Sequence, residues 1–375
     1  MRSTHLRVAG VRLLVAGLLA VVVVAATAAS ASAAKGMKVG FYDEALTLEY
    51  PDDFGFRTLA DLGADVVRMN LYWNEVAKAR PKRPTNPKDP AYDWERYDTA
   101  MERAQRYDIE VMLTIFGTPE WASGKNHAKK SYRYAPKRMR DLTRFATAAA
   151  KRYKQVDLWT AWNEPNSPNF LKPQSVKRGG KWVFRSPQIY AKICNAVVKG
   201  VNRVQKRDTV ACSVLNPRGE VEPNGGRRES VAPLVFITLM KNAGAKPEAF
   251  AYHPYSPSKK ISPTKKVKSN ATVTLGTISK IVNAVNRAWS KKMRIWITEY
   301  GYQTNPPDTR FGVSWKRQAK WMRVAFKNMR KHPRIDIALW FQLKDDSRLA
   351  GWQSGVISTN NVEKRSYGTF RRLAR

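Results

Sequence analysis

From Met37 onward, short runs rich in β-branched and aromatic residues alternate with longer segments whose apolar residues recur every three to four positions. This alternation is typical of strands and amphipathic helices in a parallel α/β fold. The predicted strands are Lys38–Tyr42, Asp65–Leu71, Glu110–Phe116, Asp157–Trp162, Thr209–Leu215, Ala249–His253, Arg294–Thr298 and Asp336–Phe341. The predicted helices are Phe56–Leu62, Asp93–Tyr107, Pro136–Tyr153, Pro187–Val204, Val231–Asn242, Val273–Trp289, Trp315–Arg330 and Tyr367–Leu373.

Eight strands with intervening helices predict a single (β/α)₈ barrel, the TIM barrel, over residues 35–375. A doubly wound open sheet is the main alternative, but no glycine-rich phosphate-binding turn follows the first strand. The sequence has no linker, low-complexity stretch or second domain. Because barrel enzymes carry their active sites at the C-terminal ends of the strands, we expect the chemistry of this chain there.

Residues 1–34 have the pattern of an export signal. A start with three arginines precedes the apolar residues 13–29, and the small residues 31–33 form a cleavage signature. We therefore predict a signal peptide over residues 1–34 and a secreted, extracellular protein that can associate with the cell surface. An uncleaved membrane anchor is the alternative, and no later segment is long and apolar enough to cross a membrane.

Cys194 and Cys212 are the two cysteines of the chain. Two cysteines do not make a disulfide scaffold, and we predict neither a metal site nor an organic cofactor. Export permits a bridge between them, because a helix residue can reach the outer side of the following strand. Two buried thiols are the alternative.

The formal net charge is +37 at pH 7, and three of these charges belong to the predicted signal peptide. Such a charge attracts polyanions such as acidic polysaccharides, cell-wall polymers, anionic lipids or nucleic acids. Four loops after predicted strands, residues 74–90, 118–138, 167–186 and 256–271, carry net charges of +3, +5, +5 and +5. An anionic glycan and a neutral β-glycan are therefore both possible substrates. Alternatively, the basic character of the protein serves no specific ligand.

Two glutamates point to a reaction class. Glu164 follows the fourth predicted strand in the string TAWNEPN, and Glu299 follows the seventh in WITEYGY. Two carboxylates that flank one site are what the cleavage of a glycosidic bond requires. Asn163 can present an amide to a sugar hydroxyl, and Pro165 fixes the backbone after Glu164. Other acidic residues near strand ends are more simply read as solvated charges or helix caps: Asp43, Glu44, Glu120, Asp345 and Asp346.

With these strings, the chain resembles the glycoside hydrolases of clan A, and within the clan families 39 and 5 most. Those enzymes are retaining, with the acid/base after strand 4 and the nucleophile after strand 7. The resemblance covers nearly the whole chain after residue 34, and Asn163-Glu164-Pro165 is its most specific string. It implies that Glu164 is the acid/base and Glu299 the nucleophile. Their carboxyl groups are then expected about 5–5.5 Å apart.

The resemblance also implies roles for other residues. Arg68, in VVRMNLYW, matches the arginine that keeps the nucleophile ionised. His253 and Tyr255, in AYHPY, match residues that orient the nucleophile and contact the sugar, and Trp340, in IALWFQ, matches the aromatic floor of the sugar subsite. The string FGTPEW is closer to family 39 and makes Trp121 a candidate sugar platform. Further aromatic residues at or beyond predicted strand ends are Trp73, Trp162, Trp182, Tyr302 and Trp352.

The sequence thus predicts a secreted, monomeric β-glycosidase that hydrolyses a poly- or oligosaccharide. A transglycosylase has the same residues and differs only in using a sugar as acceptor. A non-catalytic barrel that binds a glycan or the cell envelope is a further alternative, although both glutamates are present. Specific binding to nucleic acid is not expected, because only the charge suggests it and no recognition motif accompanies it.

Overall fold

The computed structural model describes residues 36–124 and 131–375, so the predicted signal peptide lies outside the described residues. Within them, eight parallel strands close a barrel, which confirms the predicted TIM barrel. The barrel strands are β1 (Lys38–Tyr42), β2 (Val66–Tyr72), β3 (Glu110–Phe116), β4 (Leu158–Ala161), β7 (Thr209–Leu215), β8 (Ala249–Tyr252), β9 (Arg294–Tyr300) and β10 (Ile335–Phe341). Their order around the barrel is β1-β10-β9-β8-β7-β4-β3-β2. A separate antiparallel hairpin consists of β5 (Ser175–Arg178) and β6 (Lys181–Phe184).

Helices lie between the barrel strands and pack their apolar faces on the outside of the barrel. They are α1 (Phe54–Leu62), α2 (Trp73–Val76), α3 (Glu95–Arg106), α4 (Glu120–Ser123), α5 (Met139–Arg152), α6 (Ser186–Val201), α7 (Pro233–Asn242), α8 (Ser279–Ala288), α9 (Trp315–Arg330) and α10 (Arg365–Ala374). All eight predicted helices are present, with bounds shifted by a few residues at most ends. Among the described residues, no helix has both the length and the apolar character needed to span a membrane.

Alternating residues of each strand point into the barrel, and this alternation sets the position of the site. Along β2, Val67 and Met69 pack on the outer layer, whereas Val66 belongs to an apolar cluster inside the barrel. Arg68 and Asn70 follow Val66 on the inner side, closer to the carboxyl ends of the strands. The lower interior is therefore closed by apolar side chains and the upper interior is polar.

The hairpin β5–β6 was not predicted from the sequence. It inserts into the loop after β4, and its turn consists of Gly179 and Gly180, with φ of +52° and +78°. Positive φ at both central residues is the geometry of a type I′ turn, for which consecutive glycines are preferred. The string SVKRGGKWVF therefore contained a hairpin signal.

Cys194 of α6 and Cys212 of β7 form a disulfide, with their Cα atoms 5.8 Å apart. The structure thus decides between the two alternatives left open by the sequence. The bridge fastens α6 to the strand that follows it, and both cysteines are fully buried.

Candidate active site

Glu164 and Glu299 meet at the carboxyl end of the barrel. Glu164 follows β4, and Glu299 is the last residue but one of β9. One carboxylate oxygen of each lies within 4.8 Å of the other. Retaining glycosidases hold their two carboxyl groups about 5–5.5 Å apart, whereas inverting enzymes need about 6.5–9.5 Å to admit a water molecule. The separation therefore fits the retaining geometry.

Arg68 is fully buried and holds several site residues at once. Its Nη1 donates to Oε1 of Glu299 at 2.7 Å, and its Nη2 donates to Oδ1 of Asn163 at 2.7 Å. Its Nε donates to Oγ1 of Thr114 on β3 at 2.8 Å. A buried guanidinium requires such partners, because an unpaired charge in the interior is costly. Arg68 thereby fixes Glu299 and Asn163 relative to each other.

His253 lies between the two glutamates. Its Nδ1 is 3.1 Å from Oε1 of Glu164, and its Nε2 is 3.0 Å from Oγ1 of Thr298 and 3.5 Å from Oε1 of Glu299. Burial, together with the positive charge of Arg68, holds the pKa of His253 well below its usual value. The ring is therefore neutral, with one nitrogen as donor and the other as acceptor.

Tyr255 donates a hydrogen bond to the carboxylate oxygen of Glu299 that Arg68 does not contact. Its hydroxyl donates to Oε2 of Glu299 at 3.2 Å, while Oε1 of Glu299 is taken by Arg68. The ring of Tyr255 lies 5.5 Å from the ring of Trp352 and 6.2 Å from that of Tyr300. Both oxygens of Glu299 therefore accept a hydrogen bond, and hydrogen bonds to a carboxylate favour its ionised form.

The two carboxyl groups differ in their electrostatic surroundings. Burial, and then the negative charge of Glu299, raise the pKa of Glu164 well above its usual range. Burial also raises the pKa of Glu299, but the charge of Arg68 and the hydrogen bonds from Arg68 and Tyr255 oppose the rise. Glu164 is thus the group that keeps its proton, and Glu299 the group that loses it first. Unlike environments of this kind divide two carboxyls into an acid and a nucleophile.

The backbone at Glu164 is unusual, with φ of +36°. Few residues other than glycine adopt positive φ, and where they do, surrounding contacts hold them there. The amide of Glu164 donates to the carbonyl of Val214 at 2.9 Å, which ties the loop after β4 to the next barrel strand, β7. From this position the Glu164 side chain reaches His253, whose Nδ1 lies 3.1 Å from its Oε1.

Both glutamates line a cavity of about 1030 Å³ at the mouth of the barrel. Its uncharged lining includes aromatic and amide side chains that had no role predicted from the sequence: Tyr42, Asn70, Tyr72, Phe116, Asn216 and Phe341. Tyr302 and Trp352, noted in the sequence as aromatics beyond strand ends, also line it. Trp73 and Trp162 are instead buried in the core. The alternation of inward and outward side chains along a strand indicates which of these residues line the cavity. Tyr42 and Phe341, for example, end β1 and β10 on the inner side.

Trp340 lies outside this cavity, which corrects its expected position as the aromatic floor of the sugar subsite. It is fully buried among the outer core residues, and its Nε1 donates to the carbonyl of Ser354 at 2.7 Å. In β10, Ile337 and Leu339 belong to the interior cluster, so Trp340 points outward. The next residue, Phe341, points inward and lines the cavity in its place.

Trp121 also lies outside the cavity, so its expected role as a sugar platform is corrected as well. It lies in α4, where its Nε1 donates to the carbonyl of Ala77 at 2.7 Å. Its ring contacts Trp73 edge to face at 5.6 Å, and the guanidinium of Arg80 lies 4.8 Å from it. Trp121 therefore packs the loops after β2 and β3 together.

Glu44 is a further, half-buried carboxyl beside the site. Its Oε1 accepts from the amide of Asn70 and its Oε2 from the hydroxyl of Tyr72, both at 2.8 Å. Burial raises its pKa to about 7, against these hydrogen bonds. From the sequence, Glu44 is expected to be a solvated charge or a helix cap. The structure shows instead that it fixes two residues of the cavity wall.

Glu164, His253 and Glu299 bring three donor atoms within 4.8 Å of one another, close enough to share a metal ion. However, the guanidinium of Arg68 lies 2.7 Å from Glu299 and would repel a cation at this point. Both oxygens of Glu299 and Nε2 of His253 also already have hydrogen-bond partners, in Arg68, Tyr255 and Thr298. The donor set therefore suits a proton-transfer site better than a metal site.

Residues 28–342 match the family model described as Cellulase (glycosyl hydrolase family 5). No curated protein matches the sequence. Among solved structures, the fold is similar to a family 39 glycoside hydrolase from the gut symbiont Bacteroides cellulosilyticus WH2. The TM-score is 0.65 at 16% identity, over 90% of this chain and 63% of that one. This chain thus spans less than two thirds of that protein.

Two further structures share the fold. A monomeric β-xylosidase from Caulobacter crescentus CB15 aligns with a TM-score of 0.61 at 15% identity, over 90% of this chain and 67% of that one. The protein XacCel5A aligns with a TM-score of 0.57 at 14% identity, over 90% of this chain and 98% of that one. At these identities the likeness shows the fold alone, whereas the family model spans most of the chain. The chain therefore belongs to the cellulase family, glycosyl hydrolase family 5, and is a glycoside hydrolase of clan A.

Proposed function

We propose that this chain is a secreted, retaining β-glycosidase that hydrolyses a poly- or oligosaccharide by double displacement. The observation that carries the proposal is the pair Glu164 and Glu299, with oxygens within 4.8 Å and unlike surroundings. The predicted signal peptide supports export. The disulfide supports it too, because such bridges persist mainly in oxidising compartments.

In the first step, an oxygen of ionised Glu299 attacks the anomeric carbon and forms a covalent glycosyl-enzyme. Glu164 gives its proton to the leaving oxygen as the glycosidic bond breaks. In the second step, Glu164 takes a proton from water, whose oxygen attacks the same carbon and releases Glu299. Arg68 and Tyr255 hold Glu299 for the attack, and Asn163 offers its amide to a sugar hydroxyl.

The substrate is a carbohydrate, and we favour an acidic or envelope-associated glycan because six basic side chains line the cavity: Arg133, Lys172, Arg218, Arg227, Arg228 and Lys259.

Purified protein lacking residues 1–34 is expected to release oligosaccharides from at least one soluble β-glycan. Chromatography of the products from a panel of neutral and acidic polymers measures this, and distinguishes internal from terminal cleavage. Binding to glycans without any cleavage would favour a non-catalytic barrel instead.

The pH dependence of activity is expected to follow the two glutamates. The reaction needs Glu299 ionised and Glu164 protonated, so kcat/KM falls at low pH as Glu299 gains a proton and at high pH as Glu164 loses its own. The apparent pKa values of the two limbs of this profile belong to the pair of carboxyl groups as a whole, because the charge on each group affects the titration of the other. Arg68→Met removes the charge that holds the pKa of Glu299 down. The acidic limb should therefore move to higher pH.

Arg68→Lys is the matched control for this shift, since it keeps the charge and loses the forked geometry. Its acidic limb should move less than that of Arg68→Met. Circular dichroism at each pH checks that both variants stay folded. An acidic limb that stays in place or moves to lower pH in Arg68→Met would refute the assigned role of Arg68.

A further inference from the structure

The basic residues of the cavity are confined to one side. The basic side chains that line it all follow four consecutive barrel strands, β3, β4, β7 and β8: Arg133, Lys172, Arg218, Arg227, Arg228 and Lys259. The lining residues contributed by β1, β2, β10 and their loops are uncharged: Tyr42, Asn70, Tyr72, Phe341 and Trp352. Within the described residues, the cavity therefore has a cationic half and an uncharged, largely aromatic half.

The two halves correspond to the two glutamates. Glu164 follows β4, inside the cationic half, whereas Glu299 lies on β9, between β8 of the cationic half and β10 of the uncharged half. Tyr255, which donates to Glu299, packs its ring against Phe341 and Trp352 of the uncharged half. Burial is the main influence on the pKa of Glu164, but the charge of Arg218 also acts on it, in the lowering direction. Arg218 thus lies near the group that protonates the leaving oxygen, and the other basic side chains of this half line the same cavity.

The loop that carries two neighbouring arginines of this half is held in place. The buried carboxylate of Glu229 accepts hydrogen bonds from the amides of Asn224 and Gly225, at 2.5 and 3.3 Å, and from the hydroxyl of Ser175. Trp182 of β6 covers Gly225, where φ is +73° and a Cβ would lie 2.2 Å from the indole ring. The hairpin β5–β6 therefore supports this loop.

Arg218, Arg227, Arg228 and Lys172 have no carboxylate within 4.0 Å among the described residues. The buried acid of the same loop, Glu229, is used by loop amides. Unpaired guanidinium groups at a cavity bind carboxylate, sulfate or phosphate oxygens through paired hydrogen bonds. These arginines are consequently available to a ligand.

We propose that the leaving-group half of the cavity binds an acidic sugar unit, whose carboxylate or sulfate is held by Arg218, Arg227 and Arg228. This inference rests on the proposed function, because Glu164 as the acid defines the leaving-group side. The sugar ring attacked by Glu299 then lies in the uncharged half, against Tyr42, Tyr72 and Trp352. The preference for an acidic substrate then comes from the leaving-group fragment of the glycan, which is released in the first step.

Binding to a Glu299→Gln protein tests the acidic subsite without turnover. Calorimetry at about 0.15 M salt, where surface charges are largely screened, compares carboxymethylcellulose with hydroxyethylcellulose and sulfated laminarin with laminarin. Tighter binding of the acidic member is expected in at least one pair, and the pair that responds distinguishes carboxylate from sulfate. Adding Arg218→Ala, Arg227→Ala and Arg228→Ala should weaken acidic binding about tenfold.

The matched control removes three other cations, Arg287, Lys291 and Lys292, which are exposed at the opposite end of the barrel, around the connection from α8 to β9. It lowers the net charge equally and should leave acidic binding unchanged. Equal losses in the two triple variants would assign the effect to overall charge and overturn the proposal. So would acidic polymers that bind no more tightly than their neutral partners in both pairs.

Hydrolysis of an acidic β-glycan in H₂¹⁸O tests the side of cleavage. Retaining hydrolysis places the heavy oxygen on the fragment whose sugar was attacked, and the leaving fragment stays unlabelled. Mass spectrometry should find the acidic unit next to the cut in the unlabelled fragment. An acidic unit next to the cut in the labelled fragment would contradict the proposal, whereas no cleavage of any glycan, acidic or neutral, would contradict the glycosidase function itself.

Discussion

Glu299→Gln is expected to lower kcat for any glycan or aryl β-glycoside by on the order of 10⁵-fold, because an amide cannot form the glycosyl-enzyme. The substitution changes little else in shape. The carbonyl oxygen of the new side chain can still accept from Arg68, and its NH₂ group can donate to the hydroxyl oxygen of Tyr255. Binding of substrate should therefore survive. Steady-state kinetics gives the loss of kcat, and calorimetry gives the affinity of the inactive protein.

Glu110→Gln is the matched control for this substitution. Glu110 begins β3 at the amino end of the barrel, where it pairs with Lys38, far from the cavity mouth. The same change of glutamate to glutamine there should leave kcat near the wild-type value. Substantial residual activity in Glu299→Gln, after contamination by the wild-type protein is excluded, would refute the assignment of Glu299 as nucleophile.

Glu164→Ala is expected to have an effect that depends on the leaving group. For natural glycans and other poor leaving groups, loss of the general acid should lower kcat/KM by about 10²–10⁴-fold. A dinitrophenyl β-glycoside needs no proton on its leaving oxygen, so its first step should be nearly normal. Its second step still lacks the base that activates water. The glycosyl-enzyme should then accumulate.

Azide provides the discriminating measurement for this variant. Because azide attacks without giving up a proton, it should speed the turnover of the dinitrophenyl substrate by Glu164→Ala and yield a β-glycosyl azide. The wild-type protein should respond little. Equal losses for good and poor leaving groups, together with no response to azide, would argue against Glu164 as the acid/base.

The barrel and the two glutamates were predictable because each depends on local pattern. The barrel strands are largely apolar runs bounded by polar segments, and counting them placed Glu164 after the fourth strand and Glu299 after the seventh. In the structure the seventh barrel strand, β9, extends to Tyr300 and includes Glu299. The convergence of Arg68, His253 and Tyr255 on Glu299 follows from the same count, since residues at the carboxyl ends of barrel strands meet at one mouth.

The direction of individual side chains could not be predicted from the sequence. Trp340 and Phe341 are adjacent at the end of β10, and only their register relative to the barrel interior decides which of them faces the cavity. Trp121 was misplaced for a different reason, because a short helix after β3 turns its ring toward Trp73. The positions of loop side chains such as Arg227 depend on packing between their loop and the hairpin, which is distant in sequence. No local sequence pattern encodes this packing.

The most direct test of the double displacement is to identify the residue that carries the sugar. Glu164→Ala, mixed with a dinitrophenyl β-glycoside that it accepts and quenched within seconds, is digested and its peptides are analysed by mass spectrometry. We expect an added mass of one glycosyl unit on the peptide that contains Glu299, at the Glu299 side chain. A sugar on any other side chain, or turnover that yields the inverted anomer with no labelled peptide, would contradict it.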